Sequence, residues 1–229
     1  NREVNFSALP KPAVMKKILA LSILVSAAFA LHSQSLIGSQ LKSKEAIILY
    51  LIEQEKVAHD LYRVLDTMWV TDVFNRVSNE ELQHMAKLSA VACEFMIDVP
   101  AHFNEYPEGQ FVDGKLRRLY TDLLLAANFS LEEAYRACAN LEERKILDLK
   151  AALREPNFEI ETLTYKALLI GAEDNFKLFI RELLNINTGY TPVWLSVSEY
   201  EALTKNILPN DGWRNTDYNA KSQSRIGLF

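Results

Sequence analysis

Between Gly38 and Pro100 the chain contains no glycine and no proline. A stretch this long without either helix-breaking residue favours long helices, because β structure needs frequent turns and these two residues supply them. Where they do occur they punctuate the chain. Pro107, Gly109 and Gly114 fall in one connection, and Pro156 follows the segment that ends near Arg154. The 229 residues suffice for one well-buried domain and are short for two.

Four long amphipathic segments are predicted. The first runs from about Lys44 to Met68 with Ser43 as N-cap, and the second from Thr71-Asp72 to about Ile97. The third opens at the capping-box sequence Ser130-Leu131-Glu132-Glu133 and ends near Arg154, and the fourth runs from about Asn157 to Asn185. The long connection from Val99 to Phe129 carries Leu116, Leu119, Tyr120, Leu123 and Leu124 at helical spacing, a short helix of its own. Another short helix follows Ser196. Two short links and one long crossover make the expected fold all-α, a ferritin-like four-helix bundle with a short C-terminal helix.

The first thirty residues read as an address. Met15-Lys16-Lys17, an apolar run from Ile18 to Val25 and Ala28-Phe29-Ala30 are the three parts of a secretory signal peptide. The run is too short to span a bilayer. The expected organisation is upstream residues and signal peptide over 1–30, a linker over 31–43, the bundle over 44–206 and a tail over 207–229. Cleavage near Ala30 removes four basic residues and one acidic residue and takes the formal charge from −5 to −8. A surface this acidic repels phosphate backbones, so nucleic acid is excluded as a partner. No stable membrane anchor is expected after cleavage; a homo-oligomer is compatible with the pattern. An oxidising compartment permits a disulfide between Cys93 and Cys138, yet both lie in amphipathic patterns where a small buried thiol is common.

Each long helix can be written as a stripe of 3-and-4 steps facing the interior. The first is Ile48, Leu51, Glu55, Ala58, Tyr62, Leu65; the second Phe74, Val77, Glu81, His84, Leu88, Val91, Phe95. The third is Leu131, Tyr135, Cys138, Glu142, Lys145, Leu149; the fourth Tyr165, Leu168, Ala172, Asn175, Phe179. Polar residues enter only near the middle: Glu55, Glu81, His84, Glu142, Lys145 and Asn175. Unpaired buried carboxylates are costly and three together repel, unless a cation or protons sit among them. Glu81 and His84 form a Glu-x-x-His pair on one helix face, the spacing used by di-iron and di-manganese bundles. His59, one turn after Glu55, is an outer-shell candidate.

At these residues the chain resembles the bacterial ferritin-like family of domain of unknown function 2202. The matching pieces are Glu55 to Tyr62, Glu81-Leu82-Gln83-His84-Met85, Leu116 to Leu123, Leu141-Glu142-Glu143, Gly171 to Leu183, Gly189-Tyr190-Thr191-Pro192 and Leu195-Ser196. The resemblance spans about residues 44–206 and implies Glu55, Glu81, His84 and Glu142 as ligands of iron or manganese. Two positions depart from the pattern. Lys145 stands where the family has Asp, and Asp174-Asn175 where it has Asn-His; His59 also replaces an Arg. An amide oxygen is a weaker ligand than an imidazole, and a lysine brings a fixed cation, so both changes point to a reduced site.

The expected function is an exported bundle with a reduced carboxylate–histidine metal site, bearing oxidase, peroxidase or metal-oxidising activity. The alternative is a metal-free structural or interaction protein in which Lys145 neutralises the carboxylates. Tyr190, Trp194 and Trp213 offer a further reading as a binding surface, against packing onto the bundle. The leader has a direct check: N-terminal sequencing of protein from the expressing cell should give a periplasmic or secreted chain beginning near Leu31. A soluble cytoplasmic chain that retains residues 15–30 would refute export.

Overall fold

The computed structural model describes residues 44–100, 107–155 and 157–207. The expected leader, the linker with Ser43, and the tail with Trp213 lie outside the described residues. Among the described residues all regular structure is helical: α1 (Lys44–Met68), α2 (Val73–Glu94), α3 (Gly114–Ala127), α4 (Leu131–Ala152), α5 (Glu159–Asn185) and α6 (Val197–Thr204). No described helix is long and apolar enough to cross a membrane.

Local chemistry sets the helix ends. The Asp113 side chain accepts from the amides of Lys115 and Leu116, which starts α3 at Gly114, ahead of its first apolar residue. Ser130 Oγ accepts from Glu133 N at 3.1 Å, and Ser196 and Glu199 cap α6 reciprocally. Helix α2 stops at Glu94, short of the expected Ile97, because Met96 turns into the left-handed region (φ 53°). Ile97 N–H then bonds back to Ala92 O at 2.9 Å and Met96 N–H to Cys93 O at 3.0 Å. Asn187 (φ 56°) ends α5 in the same way, with Thr188 N–H on Leu183 O.

Helix α1 packs along α2 and α4 along α5; α1 also meets α4, and α2 meets α5. The stripes face inward as expected, with Ile48, Leu51, Leu65, Phe74, Leu88, Leu149, Leu168 and Phe179 fully buried. Helix α3 lies against both α1 and α4, and α6 against α5. Tyr190 packs on Phe176 and Tyr200, while Trp194 lies under the Arg144 guanidinium (4.2 Å) and donates Nε1–H to Asn140. Both aromatic residues therefore pack onto the bundle. Cys93 is exposed and Cys138 buried, and both are free thiols.

The crossover covers the outer side of α1, and that side is polar. Glu53 accepts the backbone N–H groups of Val112 and Asp113. Asp60 accepts Gly109 N–H at 3.0 Å and pairs with Lys56, whose ammonium lies 4.9 Å from the Phe111 ring centre. A carboxylate that takes two amides of a loop does what a neighbouring strand or helix would do. Glu53→Ala should therefore cost about 2–3 kcal/mol in urea unfolding, since it leaves both amides without their acceptor. A change below 0.5 kcal/mol would show that water replaces the carboxylate at no cost.

Candidate functional site

The six mid-stripe polar residues come together in one buried layer. Glu55 comes from α1, Glu81 and His84 from α2, Glu142 and Lys145 from α4, and Asn175 from α5. Glu55, Glu81, Glu142 and Lys145 have no exposed surface; His84 keeps 7% and Asn175 4%. Helical spacing accounts for the layer: the three-residue steps Glu81–His84 and Glu142–Lys145 place each pair on one face, and the bundle turns both faces inward.

Lys145 Nζ is the hub. It lies 2.7 Å from Glu81 Oε2, 2.9 Å from Glu55 Oε2 and 3.3 Å from Glu142 Oε2. His84 Nδ1 lies 2.9 Å from Glu81 Oε2 and 3.5 Å from Glu55 Oε2. Asn175 donates its amide N–H to Glu81 Oε1 at 3.0 Å, so in this arrangement it positions a carboxylate as a donor. Glu55 Oε1 is buried with no hydrogen-bond partner.

Two contacts were not read from the sequence, and one candidate has a partner outside the layer. Tyr62 donates its hydroxyl to Glu142 Oε1. Its place seven residues after Glu55 on the same stripe was the available signal, but a tyrosine in a stripe reads as packing. The His84 ring also lies against Gly171 of α5, where no side chain intervenes. His59, expected behind Glu55, instead places Nδ1 on Ser78 of α2, 2.9 Å from its carbonyl and 3.0 Å from its hydroxyl.

Burial and mutual charge set the protonation of the layer. Burial raises Glu55 above the ordinary carboxylate range, with Lys145 pulling against it. Burial alone would raise Glu81 too, but Lys145 and the bonds from Glu55 and His84 hold it well below that range. Glu142, buried and beside two other carboxylates, is pushed up to about 8 despite Lys145. Burial disfavours the charged form of His84, yet Glu55 and Glu81 hold it up at about 9. Lys145 is likewise kept protonated, its desolvation outweighed by the three carboxylates. The layer thus sets two bases held toward their charged forms against three carboxylates, of which Glu81 is driven toward the ionised form and Glu55 and Glu142 toward the protonated one.

The donor set fits a single metal ion better than two. Ligand atoms of Glu55, Glu81 and His84 lie within 4.8 Å of one another, and Glu55 Oε1 is unengaged. On the α4–α5 side, Lys145 and Asn175 present N–H groups to the carboxylates, and N–H groups cannot ligate.

The ammonium should be indispensable in metal-free protein. Lys145→Met keeps most of the stem and strands the carboxylates, so it should cost about 3–5 kcal/mol at pH 7 in chelator-treated samples. Glu81 titrates below its ordinary 4.5, so the stabilisation from its ionised form is present above that pH and fades as pH falls. The mutational loss should therefore shrink in acid. Equal stability of variant and wild type at pH 7 would exclude a buried, compensating ammonium.

Comparison with known proteins places the chain in a family. It is 28% identical over 162 residues to "Uncharacterized protein MJ0754" of Methanocaldococcus jannaschii, covering 71% of this chain and 86% of the relative. The crystal structure of hypothetical protein MJ0754 from Methanococcus jannaschii superposes with a TM-score of 0.67 at 26% identity, covering 73% of this chain and 96% of that one. The family model described as "Uncharacterized protein domain (DUF2202)" matches residues 44–206, from the first residue of α1 to just past α6. The chain belongs to the DUF2202 family.

Proposed function

We propose that this protein is a ferritin-like four-helix bundle that keeps half of a dinuclear metal site. Glu55, Glu81 and His84 hold one iron or manganese ion, and the Lys145 ammonium occupies the position of the second. Two helical hairpins joined by one long crossover, with donors projecting from facing helices, support the architecture. One observation carries the site: three of the four retained donors come from α1 and α2 and converge, while the fourth, Glu142, shares α4 with the altered position Lys145, and the other altered position, Asn175, lies on α5.

Carboxylate and imidazole donors suit iron or manganese, and a bound ion would supply one-electron chemistry toward oxygen or peroxide. The chain's own residues have separate tasks. Glu81 is fixed by Asn175 on one oxygen and by Lys145 on the other. Glu142 is held by Tyr62 on one oxygen and lies 3.3 Å from the Lys145 ammonium through the other. Glu55, Glu81, Glu142 and Lys145 have no exposed surface, so bulk water is kept from these four. Activity as an oxidase, peroxidase or metal-oxidising protein follows from this donor set, and the leader sequence favours export to the periplasm or medium.

The second reading, a metal-free structural or interaction protein, is favoured by the contacts of Lys145. Its ammonium lies 2.9 Å and 2.7 Å from the same Glu55 and Glu81 oxygens that an ion would use. Metal analysis after anaerobic incubation with Fe(II) or Mn(II) separates the two. The first reading expects about one ion per chain, lost in His84→Ala and rising toward two in Lys145→Asp/Asn175→His. No retained metal in folded wild type would establish the second.

A further inference from the structure

Gly171 lies in the interior of α5, four residues before Asn175, and its backbone has no positive φ that would call for glycine. Glycine is a poor residue there, because it loses much backbone freedom on entering a helix and brings no side chain to pack. What it provides is space. A Cβ at this position would lie 2.7 Å from His84 Cε1 and 3.0 Å from His84 Nε2, and its three nearest neighbours are all atoms of that one imidazole. His84 is seated in the volume that any other residue would fill with its own side chain.

The seat also sets the direction of the ring. With the Cε1–Nε2 edge against Gly171, Nδ1 faces Glu81 at 2.9 Å and Glu55 at 3.5 Å. His84 keeps 7% exposure, whereas the four charged residues around it keep none. Asn175, at 4% and bonded to Glu81, is the other member of the layer that touches both a carboxylate and the outside.

We propose that Gly171 is a positioning residue for the polar layer, its missing side chain forming the seat that aims His84 Nδ1 at Glu55 and Glu81. It acts only through His84. Its consequence for metal binding rests on the functional reading above; the seat itself does not.

Gly171→Ala is measured in chelator-treated protein, alone and together with His84→Ala. In the His84 background the new methyl meets the ring, so the melting temperature should fall even though alanine is the better helix former. In the His84→Ala background the space is vacant, and the same change should raise it. Should Gly171→Ala fail to fold alone, recovery of folding on adding His84→Ala is the same reversal. Equal effects in both backgrounds would overturn the proposal. A purely structural glycine would leave the His84 ring unchanged, so the imidazole ¹⁵N resonances provide the second readout. They should shift in Gly171→Ala, and unshifted resonances would overturn the proposal as well. Titration with Mn(II) alone should then show affinity weakened about 10–100-fold in Gly171→Ala. If wild type binds no Mn(II) while the stability reversal and the shifted resonances are present, the metal reading fails and the positioning role stands.

Discussion

The contact of one ammonium with three carboxylates is the constraint on which the interior depends. Lys145 Nζ lies 2.7–3.3 Å from oxygens of Glu55, Glu81 and Glu142, and all four residues are sealed from solvent. Three helices contribute to that contact, so it can form only when α1, α2 and α4 are in register. Such a network need not stabilise the fold relative to an apolar core of the same volume. Its effect is on specificity, since any sliding of one helix would leave a charge without its partner. Asn175 and Tyr62 extend the same constraint, to α5 and to a second position on α1.

The layer sits between two helices buried on nearly every side. Residues 50–58 of α1 are buried without a break, as are residues 141–146 of α4. Amphipathic helices normally leave one face to water. Here the outer faces are covered by the crossover, by α3 and by the segment after α5. Each cover is attached by a carboxylate that accepts backbone amides: Glu53 for Val112 and Asp113, Asp60 for Gly109, Glu143 for Val193 and Trp194. Glu143 titrates at about 7, chiefly because burial disfavours its charge. The polar chemistry of this protein is therefore organised twice, once at the centre of the helices and once on their backs.

Much of the central layer was legible because helical spacing is rigid. Polar residues that interrupt an apolar stripe at 3-and-4 steps have to point inward, so Glu55, Glu81, His84, Glu142, Lys145 and Asn175 could be named from order alone. Glu53, Lys56, Asp60 and Glu143 could not. They lie off the stripe, where the same periodicity assigns them to solvent, and only the folded-back crossover and C-terminal segment bury them. The partner of His59 was illegible for a related reason. Spacing placed His59 one turn from Glu55, but its Nδ1 meets Ser78 of α2, a contact that local spacing does not specify. Met96 ended α2 early because a left-handed residue without glycine leaves no mark in composition.

The sequence by itself determined the helical class, the two hairpins, the long crossover and the identity of the buried polar layer. These follow from the absence of glycine and proline, from capping residues and from a period of 3.6, all of which are local. The tertiary structure decided what the layer does with its charges. Whether Lys145 reaches the carboxylates or leads its head to solvent depends on how α4 is rotated against α1 and α2. Whether Gly171 is a weak point in a helix or a seat for His84 depends on what α2 presents to it. Those are distances between residues 60 to 90 positions apart, and no local rule fixes them, because they exist only once the helices pack.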